Sequence, residues 1–131
     1  MYAHGEILAL KDFPLIDYQT FGQDGWVYRD QLSGEHLNQA AAGLSAVRAA
    51  MKSAGYDLII MDEVNVAIDM GLLSVAEVKQ AILARPAGTE VILTGRNADP
   101  ELIEMAATVT EMCCVKHAYD SGIQASKGID Y

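Results

Sequence analysis

Two adjacent carboxylates, Asp62-Glu63, follow directly on the apolar run Leu58-Ile59-Ile60-Met61. A carboxylate at the end of a dry, rigid strand is open to ligand and water, and such a pair suits a magnesium ion or its hydration shell. The same two acids also arise at the start of an ordinary helix or loop. The usual partner of a magnesium-nucleotide strand is a Gly-x-x-x-x-Gly-Lys-Ser/Thr loop, whose N–H groups cradle phosphate, and no stretch of the chain fits that pattern. Further candidates are spread along the sequence. Thr94-Gly95-Arg96-Asn97 puts a permissive glycine beside an arginine able to grip phosphate or carboxylate bidentately. Lys116-His117 offers a fixed cation and a group that titrates near neutrality, and Lys127 is a third cation in the C-terminal part. Trp26 and Tyr28, two apart, would share one face of a strand, as core packing or as a platform for a flat ligand. Each of these groups also has a plain structural reading: a turn, a hydrogen-bonded histidine, a packed aromatic.

The elements that must position these residues are legible from periodicity. An early strand is expected over residues 16–20, then an irregular loop. Leu37, Ala40, Ala41, Leu44, Val47 and Met51 recur at three- and four-residue steps, which predicts an amphipathic helix over 36–54 closed by Gly55. The unbroken apolar run 56–61 is too short for a helix and reads as a parallel strand covered on both faces. Ser74 and Glu77 form a capping box for a helix that must stop before Pro86. Residues 89–94 make a second covered strand. Asp99-Pro100 opens another helix with a capping carboxylate and an N1 proline. A third strand is expected over 108–115, and the tail 116–131 is loop-like. Strands alternating with helices imply right-handed βαβ units, a mostly parallel sheet flanked by helices, and a ligand site at the carboxyl ends of the strands.

Composition narrows the function classes. With 131 residues, 51% of them hydrophobic, the chain suffices for a single α/β domain, 1–131, burying roughly two-thirds of its unfolded surface. A net charge of −9 and the lack of a basic stripe argue against nucleic acid as a partner. No apolar stretch reaches the ~20 residues of a bilayer span, and the N-terminal residues do not read as a signal peptide. The neighbours Cys113 and Cys114 would point to opposite faces of a strand and not bridge each other, which suits a reducing, cytoplasmic setting.

Many ordered blocks carry a more specific signal. They are Tyr56-Asp57-Leu58-Ile59-Ile60-Met61-Asp62-Glu63-Val64-Asn65, Gly71-Leu72-Leu73, Ala84-Arg85-Pro86, Val91-Ile92-Leu93-Thr94-Gly95-Arg96-Asn97 and Pro100-Glu101-Leu102-Ile103, then Val109-Thr110-Glu111-Met112, Val115-Lys116-His117-Ala118-Tyr119-Asp120-Ser121-Gly122-Ile123 and the ending Ala125-Ser126-Lys127-Gly128-Ile129-Asp130-Tyr131. In this order they resemble the P-loop ATP:corrinoid adenosyltransferases of the CobA/CobO/BtuR type, strongly over the second half of the chain and more weakly near its start. The resemblance implies a P-loop-NTPase-like, RecA-like α/β fold lacking its N-terminal P-loop segment. It also implies ATP and magnesium as cofactors and a reduced corrinoid as substrate. The family transfers the 5′-deoxyadenosyl group of ATP to cobalt and releases triphosphate. Carried over by position, Glu63 with Asp62 would serve magnesium. Trp26 and Tyr28 would fall where the family places two aromatics that displace the corrinoid's lower ligand, although the residue types differ from the usual Phe and Trp. Arg96, Asn97, Lys116, His117 and Lys127 would line the site. The alternative is a non-catalytic corrinoid-binding or regulatory protein derived from that family. A sheet without the family's first strands would expose an edge, which predicts a homo-oligomer or a partner chain covering it.

Overall fold

The computed structural model describes residues 5–22, 25 and 27–126. The chain divides into two compact units, Thr20–Ala107 and, drawn from both ends of the sequence, Met1–Gln19 with Thr108–Tyr131. Among the described residues no helix is long and apolar enough to cross a membrane.

The unit Thr20–Ala107 holds both strands. Helix α2, Gly34–Ser53, begins with a reciprocal cap: Ser33 Oγ accepts from the His36 N–H while His36 Nδ1 accepts from the Ser33 N–H. The helix thus starts two residues before the predicted His36, because that histidine is the cap's own third residue. At the far end the left-handed residue is Ala54, with φ of 52°, not Gly55 as the sequence suggests. The Ser53 hydroxyl accepts from the Gly55 N–H and holds the glycine one step beyond the turn. Strand β1, Leu58–Met61, pairs in parallel with β2, Glu90–Leu93, in the register Ile59 to Val91 and Met61 to Leu93. Between them lie α3, Val64–Asp69, and α4, Val75–Leu83. The Ser74-Glu77 capping box forms as expected. Helix α5, Pro100–Met105, starts as predicted, with Asp99 Oδ1 accepting from the Glu101 N–H at 2.8 Å.

One apolar cluster joins these pieces: Leu44 and Met51 from α2, Ile59 and Met61 from β1, Val64 from α3, Val78, Ala81 and Ile82 from α4, and Leu102 from α5. Val78 is fully buried at its centre. The alternation of strand side chains puts Ile59 and Met61 in this core and leaves Leu58, Ile60 and Ile92 on the other face, where all three are exposed. The expectation of strands covered on both faces is therefore corrected. The buried helix residues all gather with Ile59 and Met61, and nothing among the described residues buries the opposite face.

The other unit contains α1, Gly5–Leu10, and a 3₁₀ turn at Ala118–Ser121. The strands expected over 16–20 and 108–115 do not form. Both segments lack a ladder partner among the described residues, and β-forming composition does not hold a strand that has no neighbour to pair with. Val109, Met112 and Val115 are exposed accordingly, as are the free thiols Cys113 and Cys114.

The two faces of β1 give a direct check. Ile59→Ala should cost about 2–4 kcal/mol in urea unfolding, whereas Ile60→Ala should cost under about 1 kcal/mol. Equal losses would mean that the open face is covered.

Candidate functional site

The carboxylate pair sits at the carboxyl end of β1, and a single side chain from the end of β2 organises it. Thr94 Oγ1 donates to Asp62 Oδ1 at 2.6 Å and accepts the Glu63 N–H at 2.9 Å. The Thr94 backbone continues the tie: its N–H donates to Met61 O, and its carbonyl accepts the Asn65 N–H at 3.1 Å. The parallel register makes this possible, because Met61 opposite Leu93 brings the two following residues together. Glu63 enters α3 in the left-handed region, φ 56°, a conformation that costs a non-glycine residue about 1–2 kcal/mol. Its bond to Thr94 helps hold it there.

Gly95 is required twice over. Its φ is +118°, and an added Cβ would stand 3.1 Å from the Val66 nitrogen and 3.2 Å from Asn65 Cβ. A side chain at this position would therefore press on the first turn of α3, which would have to shift by a few tenths of an ångström. Asn65 itself is buried, and its Oδ1 has no hydrogen-bond partner, an arrangement that costs about 1–3 kcal/mol in a dry setting.

Beyond Gly95 the chain presents Arg96, exposed, and then Asn97, again left-handed at φ 59°. Asn97 Nδ2 donates to Asp69 Oδ2 at 3.0 Å, and Arg29 Nη2 donates to the same oxygen at 2.8 Å. These two hydrogen bonds, Asn97 first, hold the Asp69 carboxyl below the usual value, assisted by the Arg29 charge. Tyr28 lies just before Arg29, extended and exposed. A shallow cleft of about 470 Å³ runs past Asp69, Leu73, Ser74, Asn97 and Asp99 but does not include Asp62, Glu63 or Arg96.

Of the residues singled out from sequence, Asp62, Glu63, Arg96 and Asn97 come to the same end of the strand pair, and Tyr28 shares their unit. Lys116 and His117 belong to the other unit, where His117 Nδ1 accepts the Tyr119 N–H at 3.2 Å and caps the 3₁₀ turn. Trp26 and Lys127 lie outside the described residues. Sequence reasoning named Thr94 only as part of the Thr94-Gly95-Arg96-Asn97 block and missed its hydroxyl as the organiser, and it missed the Arg29–Asp69 pair. Its only sequence trace is opposite charge, on residues forty apart. Among the described residues no cluster of three or more His, Cys, Asp or Glu side chains could hold a metal ion.

Parallel strands with paired carboxylates at their carboxyl ends, flanked by helices, define a P-loop-like α/β architecture. The description "ATP:corrinoid adenosyltransferase BtuR/CobO/CobP" matches residues 1–131, and the chain belongs to this family. A corrinoid adenosyltransferase of Pseudomonas aeruginosa is 36% identical over 128 residues, covering 97% of this chain and 63% of that protein. One from Sinorhizobium is 32% identical over 118 residues, covering 89% of this chain and 55% of its own. The corrinoid adenosyltransferase CobA of Salmonella typhimurium is 40% identical over 75 residues, 57% of this chain and 38% of that protein. The chain thus spans less than two-thirds of the length of these relatives.

Two outcomes test the geometry. Thr94→Val, which keeps the shape and removes the hydroxyl, should destabilise the unit by about 1–2 kcal/mol in chemical denaturation, the loss of two hydrogen bonds; a neutral result would contradict the bridge. Acid provides the second. The Asp69 pKa is lowered by Asn97 and Arg29, and that of Glu77 by its bonds to Ser74. Both groups therefore bind fewer protons folded than unfolded, so their contribution is full above the ordinary values, 3.8 for Asp69 and 4.5 for Glu77, and fades as pH falls through the lowered ones. The double variant Asp69→Asn, Glu77→Gln should show a shallower loss of stability below those values than the parent.

Proposed function

We propose that this chain carries the metal-carboxylate and corrinoid-facing part of an adenosyltransferase that moves the 5′-deoxyadenosyl group of ATP to the cobalt of a reduced corrinoid. The observation that carries the reading is the Asp62-Glu63 pair, fixed by Thr94 at the strand ends of a chain in this family. In the reaction a cobalt–carbon bond forms at the 5′ carbon as the carbon–oxygen bond to triphosphate breaks. The cobalt electron pair enters the new bond, and the leaving oxygen takes the old one. Magnesium, when bound, neutralises charge on the leaving triphosphate.

The residues present fit that ion. The donor set is all oxygen, which suits a hard cation, and a magnesium ion that keeps its waters and shares a polyphosphate needs only one or two protein carboxylates. The orphaned Asn65 Oδ1, two residues past Glu63, is an acceptor suited to a water of such an ion. Asp62 and Glu63 would hold the metal, and the exposed Arg96 would face the anionic ligand. Tyr28 would offer its ring to the corrinoid face from which the lower ligand leaves. No stretch of this chain supplies a phosphate-cradling glycine loop, so its own hold on ATP should be weak. The second reading is a non-catalytic corrinoid-binding or regulatory protein derived from the same family.

Calorimetric titration separates the readings. Cobalamin should bind with measurable heat and MgATP alone should not saturate at micromolar concentration, while Glu63→Gln should leave cobalamin binding intact and weaken Mn²⁺ binding about tenfold. Adenosylation by the wild-type chain supplied with reduced cobalamin and MgATP would decide for the enzyme. Failure to bind cobalamin would overturn both.

A further inference from the structure

Three segments far apart in sequence meet on one oxygen atom. Asp69, at the end of α3, is reached by Arg29 from the turn that follows Tyr28 and by Asn97 from the turn that follows Arg96. The shared atom is Oδ2, and the Asp69 side chain is about one-third exposed. Helix α3 begins at the metal-carboxylate pair and ends at Asp69, so the same short helix connects the proposed metal ligands to this junction. The left-handed backbone of Asn97 turns its amide onto the carboxylate immediately after Arg96.

We propose that Asp69 is a positioning residue: by holding Arg29 and Asn97 on one carboxylate oxygen, it keeps the Tyr28-bearing segment and the Arg96-bearing turn in a fixed relation to each other. The inference rests on the reading of Tyr28 and Arg96 as ligand-facing residues. Neither Asp69 nor Arg29 touches the corrinoid or the nucleotide in this scheme. Their effect is on the fraction of molecules in which the aromatic and the cation stand ready together. An exposed ion pair is weak, so its removal biases that fraction without unfolding the unit.

The test is a charge exchange. Arg29→Asp and Asp69→Arg, made singly, place like charges opposite each other; together they restore an ion pair of reversed sense. Cobalamin affinity, followed by visible absorbance, should weaken about three- to tenfold in each single variant and return to within about twofold of the parent in the double variant, while urea midpoints stay close to the parent's. Single variants with parental affinity, or a double variant no better than the singles, would overturn the proposal. Trp26 is the only tryptophan and lies three residues from Arg29, so iodide quenching of its fluorescence reports on the segment without any ligand. Were the parent to bind no cobalamin, the functional reading would fall. Quenching raised in the singles and restored in the double would still support the junction, and identical quenching in all four proteins would refute it.

Discussion

One hydroxyl group governs the end of the sheet. Thr94 Oγ1 uses its single proton on the Asp62 carboxylate and a lone pair on the Glu63 N–H, so the Asp62 side chain and the Glu63 backbone are both set by the residue that follows the neighbouring strand. The strand pairing supplies the reach, Gly95 supplies the room, and the left-handed turn at Glu63 sends the chain into α3. Loss of the Met61–Leu93 register would separate the hydroxyl from both groups at once. The carboxylates, α3 and the Arg96 turn therefore depend on a contact whose own net worth is about 1 kcal/mol per bond. Its leverage comes from position.

A second principle is the use of partial satisfaction. Asp62, Glu63 and Arg96 are left at the surface, whereas Asn65 is buried with an acceptor unanswered. Folding normally removes such a group or finds it a partner. Its retention beside two carboxylates gives this end of the sheet a polar character that the well-packed cluster around Val78 lacks.

Local signals were legible in the sequence, and long-range ones were not. The cap at Ser74-Glu77 and the start at Asp99-Pro100 are written within four residues, and both are found where expected. The two parallel strands follow from apolar runs of the right length. By contrast, residues 108–115 have strand composition without a neighbour, and a ladder is a property of pairs. The open face of Leu58, Ile60 and Ile92 was invisible for the same reason, since an apolar run does not say how many of its sides will be covered. Asp62, Glu63 and Arg96 stood out by type. Thr94 and Asp69 did not, because the partners that give them meaning are about thirty and forty residues away.

The open face of the strand pair bears on how the protein behaves in bulk solution. At neutral pH a charge of −9 opposes the close approach of copies, whereas the exposed Leu58, Ile60 and Ile92 favour burial against another apolar surface. That repulsion vanishes near the isoelectric point of about 4.5, where protonation also begins to erode the support given by Glu77. Mild acid thus removes the charge repulsion and begins to weaken the Glu77 contribution, whereas high salt screens the first alone. Charge repulsion and exposed apolar strand surface thus oppose each other in this chain, and the balance shifts towards association as the pH falls to the isoelectric point or the salt rises.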